Sequence, residues 1–164
     1  VIRGRADGKD DLTTLKTAPD LNNMAISLDG TYAIAYFDLA LSQGAISAKQ
    51  NLQDVTLIKL DKGKEQAVTL TVGFKPTGVQ FTKDSKTAFV VAEKVISIID
   101  PAKATKSAIM PTVPLYKDPL KEPKPAEVLV TPDGKLALLR QKGQSMVRAV
   151  DLSTKAITDL TLNG

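Results

Sequence analysis

Short apolar runs separated by small polar turns fill this chain, and their order repeats. The clearest copy spans residues 125–152: an apolar run, an Asp-Gly turn, a second apolar run, a polar turn, a third apolar run and an aspartate. Residues 127–131 and 136–140 read as a hairpin across Asp133-Gly134. An Asp-Gly pair tolerates the positive φ that a tight turn demands. Residues 145–150 then read as a third strand ending at Asp151, and residues 156–162 as a fourth.

The same order appears twice upstream. The first copy has strands at 24–28, 31–37, 55–60 and 66–72, with Asp29-Gly30 in the hairpin turn and Asp61 after the third strand. The second has strands at 78–82, 87–92 and 95–99, Asp100 after the third, and a fourth within 106–113. Ser85 stands where the other copies carry glycine, which costs stability wherever that position needs positive φ. The turn aspartates Asp29, Asp84 and Asp133 are spaced by 84 − 29 = 55 and 133 − 84 = 49 residues. A four-stranded unit usually repeats every 40–45 residues or so. The excess lies in two insertions, residues 38–53 and the proline-rich 116–125. Within the first, residues 39–49 suit one or two helical turns. Residues 1–19 open as a charged, glycine-rich loop, with 12–17 a short edge strand.

Four strands per period predict an all-β fold: a partial β-propeller of about three four-stranded antiparallel blades, a fragment of a larger propeller. The division is 1–21 (loop and an outer strand of a neighbouring blade), 22–72, 73–115 and 116–164 (three blades). A two-sheet sandwich is the alternative, and it predicts strict alternation along each strand. Residues 88–92, 95–99 and 136–139 are apolar at consecutive positions instead, as strands buried on both faces would be.

The pattern of proline, apolar run, Asp-Gly-Lys, apolar return, apolar run and aspartate, followed by Val72-Gly73-Phe74-Lys75-Pro76, resembles the YVTN-type, WD-repeat-like repeats of bacterial β-propellers. The resemblance covers residues 22–162, although the YVTN tetrapeptide itself is absent and Ser85 departs from the pattern. It implies blade architecture and an extracytoplasmic setting (periplasm, cell surface or secreted), and leaves activity open, because propellers host many functions. Three blades do not close a ring of four to eight. The expected partners are therefore the remaining blades or a second copy of the chain, with residues 12–17 a candidate outer strand of the neighbouring blade. The opening at Val1 rather than methionine reads as a processed or excised chain.

Composition narrows the chemistry. The chain has neither cysteine nor histidine, so a Ser-His-Asp triad, thiolate chemistry and His-based zinc sites are excluded within it. No cofactor is indicated. The net charge of +4 comes from lysines interspersed with carboxylates, as in residues 59–65, rather than from a basic patch with aromatic neighbours. That argues against a nucleic-acid partner. No apolar run approaches the roughly 18 residues of a membrane span. Asp7, Asp10 and Asp11 lie close together but miss the EF-hand spacing, so a surface turn is the reading preferred over a metal site.

The turn aspartates, and with them Asp61, Asp100 and Asp151, read as turn formers rather than acid/base groups. Candidate binding positions are chosen by place instead. Both insertions fall on the face that carries the loops leading into the first and third strands of the blades. Long loops on a rigid scaffold tend to carry function. The positions are Asp38, Gln43, Lys49, Glu93, Lys94, Lys117, Glu122 and Gln141. Glu127, at the start of a first strand, is a weaker candidate for the channel side. The expected function is a non-catalytic module that binds a protein or glycan. The alternatives are part of a propeller hydrolase or lactonase with catalytic groups in other blades, and a purely structural body.

Overall fold

A computed structural model describes residues 1–5, 7–42, 51–118, 120, 122, 125, 127–141 and 143–162. Three four-stranded antiparallel sheets follow one another along the chain. Blade 1 holds β3 (Asn23–Ile26), β4 (Tyr32–Tyr36), β5 (Asp54–Lys59) and β6 (Gln66–Thr71). Blade 2 holds β7 (Pro76–Phe81), β8 (Ala88–Ala92), β9 (Val95–Ile99) and β10 (Thr112–Pro114). Blade 3 holds β11 (Glu127–Val130), β12 (Leu136–Arg140), β13 (Met146–Asp151) and β14 (Ile157–Thr161). Each sheet runs in sequence order. A 3-10 turn, Leu39–Leu41, opens the first insertion, capped by the Asp38 carboxylate accepting from the Ala40 N–H.

Period-2 side-chain geometry explains the stacking. On β8, Ala88 and Val90 face blade 1, packing with Ile34, Tyr36, Val55, Leu57 and Leu70. Phe89 and Val91 face blade 3, packing with Ala137, Leu139 and Val150. Every β8 residue is buried, as a strand between two sheets requires. Burial of Phe89, Val90 and Val91 contributes roughly 1.5–3 kcal/mol each. In β12 the alternation returns, with Ala137 and Leu139 buried and Leu136 and Leu138 facing outward. The runs of 88–92 and 136–139 look alike in sequence; only the first has a blade on each side.

The hairpin turns stack in register. In each, a hydroxyl binds the turn aspartate and accepts the N–H that starts the return strand. Ser27 does so with Asp29 (2.7 Å) and Tyr32 (2.9 Å), Thr82 with Asp84 (2.7 Å) and Thr87 (3.1 Å), Thr131 with Asp133 (2.6 Å) and Leu136 (3.0 Å). Hydrogen bonds then cross between blades: the Asp29 N–H donates to the Ser85 hydroxyl (3.3 Å), and the Lys83 N–H to the Pro132 carbonyl (2.8 Å). Gly134, at φ 71°, sits so close to blade 2 that a Cβ would lie 2.8 Å from Thr82 Cγ2 and 3.0 Å from the Phe89 ring.

Two expectations are corrected. Residues 13–17 form no strand. The opening segment instead folds back as a hairpin, β1 (Ile2–Gly4) with β2 (Asp10–Leu12). Asp7 and Asp11 brace it through ion pairs to Arg5, and Asp11 also meets Lys62. Second, the span expected to hold the fourth strand of blade 2 divides. Residues 107–110 run parallel to β6, with the Thr71 N–H donating to the Ala108 carbonyl and the Met110 N–H to that of Thr71. Only then does β10 join β9. The free outer edge of β6 presents unpaired donors and acceptors, and this detour satisfies the Thr69 carbonyl and both the N–H and carbonyl of Thr71.

Candidate functional site

Four connections, β4–β5, β6–β7, β8–β9 and β10–β11, converge at the inner ends of the blades, on the face that carries both insertions. They enclose a groove of about 570 Å³. Asp38, Leu39 and Ala40 form one wall; Lys75 to Gly78 with Gln80, Val91, Ala92 and Glu93 form the floor; Pro125, Glu127 and Val128 close it. Among its described lining residues the charged groups are three carboxylates, Asp38, Glu93 and Glu127, and one ammonium, Lys75. The local sequence explains each placement. Asn22 and Asp38 bracket one another, the Asn22 amide accepting from the Asp38 N–H (2.7 Å) and donating to the Asp38 carbonyl (3.0 Å). Lys75 takes positive φ (57°) as the chain turns into β7. That turn aims its ammonium at Glu93 (3.8 Å) and over the Phe74 ring, 5.1 Å from the centroid. Glu127 pairs with Arg140 across the β11–β12 hairpin at 3.3 Å.

Gln80 holds the floor rigid. Its amide donates to the Val128 carbonyl (2.9 Å) and accepts from the Val130 N–H (2.7 Å), so one side chain pairs with the edge of β11 as a strand would. Blades 2 and 3 are thereby locked where the groove crosses between them.

Of the positions expected from sequence, Asp38 and Glu93 meet in this groove. Gln43 and Lys49 lie outside the described residues. Lys94 is exposed in the β8–β9 connection, where its carbonyl accepts from the Leu115 N–H (3.0 Å). Gln141 closes the β12–β13 connection, its carbonyl accepting from the Gln144 N–H. Neither side chain lines the groove.

Lys117 and Glu122 belong to a separate ion-pair network between the β10–β11 connection and blade 3. Its centre is Arg148, nearly buried, which grips Asp159 through Nε (2.6 Å) and Nη2 (3.2 Å) and pairs with Glu122 through Nη1. Lys117 adds a second cation to Asp159 at 3.1 Å. The Arg148 hydrogen bonds hold the Asp159 carboxyl below its ordinary pKa. Burial works against ionised Glu122, but the Asp118 N–H and the Arg148 guanidinium outweigh it and its pKa is lowered too. Burial, and then the Glu122 charge, push the neighbouring Tyr116 phenol up. Among the described members two cations meet two carboxylates, which makes the network a clamp on the second insertion.

The turn aspartates are committed to their turns. The hydroxyl and N–H of Thr31, then Ser27, draw Asp29 down to about 2. The Thr154 N–H and the Ser153 hydroxyl draw Asp151 down to about 2. Asp100 caps its turn through the Ala102 N–H and Lys103, whereas Asp61 pairs with Lys59. Lys75, Gln80 and Arg148 escaped the sequence reading. The one legible signal for Lys75 was its place just before the proline that opens β7.

No protein-family model and no curated protein matches the chain. Solved structures do. AztD from Citrobacter koseri is 12% identical, with a TM-score of 0.62 over 99% of this chain and 42% of its own. A protein of unknown function from Desulfotomaculum acetoxidans is 10% identical, with a TM-score of 0.58 over 99% of this chain and 50% of its own. A proposed 6-phosphogluconolactonase from Bacteroides fragilis is 15% identical, with a TM-score of 0.53 over 88% of this chain and 39% of its own. The chain spans half or less of the length of each. Set beside its three stacked sheets, these likenesses make the fold of this chain a partial β-propeller.

Proposed function

We propose that the chain is a blade array of a larger propeller that binds a polypeptide segment on its insertion-bearing face and catalyses no reaction, in the extracytoplasmic setting the repeat resemblance implies. The groove carries this reading: the carboxylates of Asp38, Glu93 and Glu127 lie about a floor whose apolar part is Pro76, Val91 and Ala92, with Lys75 the one cation among its described lining residues. An acidic, half-apolar cleft suits a neutral or basic extended peptide. Its described lining offers no aromatic ring on which a sugar face would stack, which favours polypeptide over glycan. The test is an array of basic, neutral and acidic decapeptides beside a glycan array. Basic peptides are expected to bind, with affinity falling as salt rises and lost in the double variant Glu93→Gln, Glu127→Gln. Preference for acidic peptides or for glycans would overturn the reading.

One observation favours a second reading, part of a propeller hydrolase of the lactonase type. Two solved neighbours, from Bacteroides fragilis and Bacteroides uniformis, are named as proposed 6-phosphogluconolactonases. The groove argues against it here, since among the described lining residues a phosphorylated sugar acid would meet three carboxylates and a single ammonium. Turnover of lactones or esters by the chain, abolished in the same double variant, would establish it.

A further inference from the structure

The first residues repeat the design of the blades at a constant offset of 55, the spacing of Asp29 and Asp84. Gly8 (φ 76°) corresponds to Gly63 (φ 74°), and Asp20 (φ 57°) to Lys75 (φ 57°). β1 falls on the end of β5, and β2 on the start of β6, with a pairing register that differs by one residue. The contact with the next blade is also repeated. The Gly73 N–H donates to the Ser97 hydroxyl on β9 at 2.9 Å; the Ala18 N–H donates to the Thr56 hydroxyl on β5 at 3.0 Å. Thr56 and Ser97 occupy equivalent third-strand positions, paired with Ala35 and Val90. Arg148, paired with Leu139, occupies the third such position and holds Glu122 of the arriving segment.

From this correspondence we infer that residues 1–21 are the outer half, third and fourth strands, of a further blade. The inner half is a β-hairpin of the same repeat, supplied by additional propeller polypeptide. It pairs with the open edge of β1 and covers Met24 and Ile26. Those two side chains are 53% and 55% exposed, whereas their equivalents Val79 and Phe81 pack into the core between blades 1 and 2. The length of the solved neighbours, at least twice that of this chain, leaves room for such polypeptide. A second copy of this chain does not fit. Its blade 3 arrives with β13 and β14 already in place, and these would occupy the position β1 and β2 hold. The apolar far face of blade 3, with Leu129, Leu136, Leu138 and Leu160 exposed, is covered by the next blade of the same polypeptide. This inference rests on the fold alone and stands whether or not the groove binds peptide.

The test joins a copy of residues 75–96, the inner hairpin of blade 2 with its connection, directly ahead of Val1. A control carries Phe89→Asp and Val91→Asp in the appended copy only. The apolar fusion is expected to raise the thermal midpoint by several degrees, to slow amide exchange at Ile2–Gly4 about tenfold or more, and to shield the Met24 methyl from a soluble paramagnetic probe. The control should match the unfused chain. Where the fusion does not fold, the same hairpin added as a synthetic peptide should give the shielding of Met24. Equal behaviour of fusion and control, or no shielding by either route, overturns the inference. So does a dimer of the unfused chain in light scattering that is abolished by Ile26→Asp.

Discussion

The backbone N–H of Asp29 donates to the side chain of Ser85 in the neighbouring blade. Ser85 holds φ at 60°, a conformation glycine adopts in the other two turns, and is 2% exposed. The serine thus gives up backbone ease for a bond between blades. Ser85→Gly relieves the strain and loses the bond, leaving stability within about 1 kcal/mol of the parent. Ser85→Ala keeps the strain and loses the bond, and should be less stable than Ser85→Gly by about 1 kcal/mol. Urea denaturation of the three proteins reads the order directly; an alanine variant at or above the glycine variant would contradict it.

Gly134 and Gly30 occupy the same slot in their turns with nearly equal φ, 71° and 70°, yet only Gly134 abuts another blade. Gly30→Ala should cost only the backbone term, about 1 kcal/mol. Gly134→Ala adds a collision with Thr82 and Phe89, worth about 1–3 kcal/mol more. Calorimetric melting of both variants distinguishes them, and equal costs would mean that blades 2 and 3 do not meet at this turn.

Arg148 should matter far more than the lysine beside it. Arg148→Met leaves the Glu122 and Asp159 carboxylates without the guanidinium that joins them, and is expected to cost about 3 kcal/mol. Lys117→Ala should cost under about 1 kcal/mol. Loss of protection at Tyr116, Lys117, Asp118 and Glu122 by hydrogen exchange in the first variant, and its retention in the second, checks that the network clamps the insertion.

Acid should unfold this protein through its turn aspartates. Asp29 and Asp151 are drawn down to about 2 in the folded state, and Asp84, Asp100 and Asp133 are also lowered. A carboxyl with a depressed folded pKa contributes stability that is present above its unfolded value, near 4, and is lost as pH falls toward its folded value. With no histidine in the chain, stability should be nearly flat from about pH 5 to about pH 7 and fall from about pH 4 to about pH 2. Asp29→Asn should flatten part of that fall. Urea midpoints across the range test it, and a decline centred near pH 6 would be inconsistent.

Blade order and the role of the turn aspartates could be read from the chain because both are local: a hydroxyl, an aspartate and a return strand within six residues. The two-sided burial of β8 could also be read, since its apolar run has no polar alternation. Other features depend on what lies across a blade boundary. Gln80 resembles any polar residue on a strand, and its amide gains meaning only beside the edge of β11. Arg148 sits in an apolar run, and its carboxylate partners are 26 and 11 residues away. The opening hairpin was obscured by weak β-formers such as Gly4, Asp10 and Asp11. The match of residues 1–21 to residues 56–76 at an offset of 55 was nevertheless present in the sequence, in Gly8 and Gly63 above all.

Residue-resolved amide exchange on the whole chain tests the stacked-blade account most directly. Strands β8 and β9, enclosed by a sheet on each side, should exchange slowest; β4 and β12 should be intermediate, and β14 and the β1–β2 hairpin fastest. Protection that is equal in the three sheets, or greatest in β12 and β13, would contradict a middle blade stacked between two others.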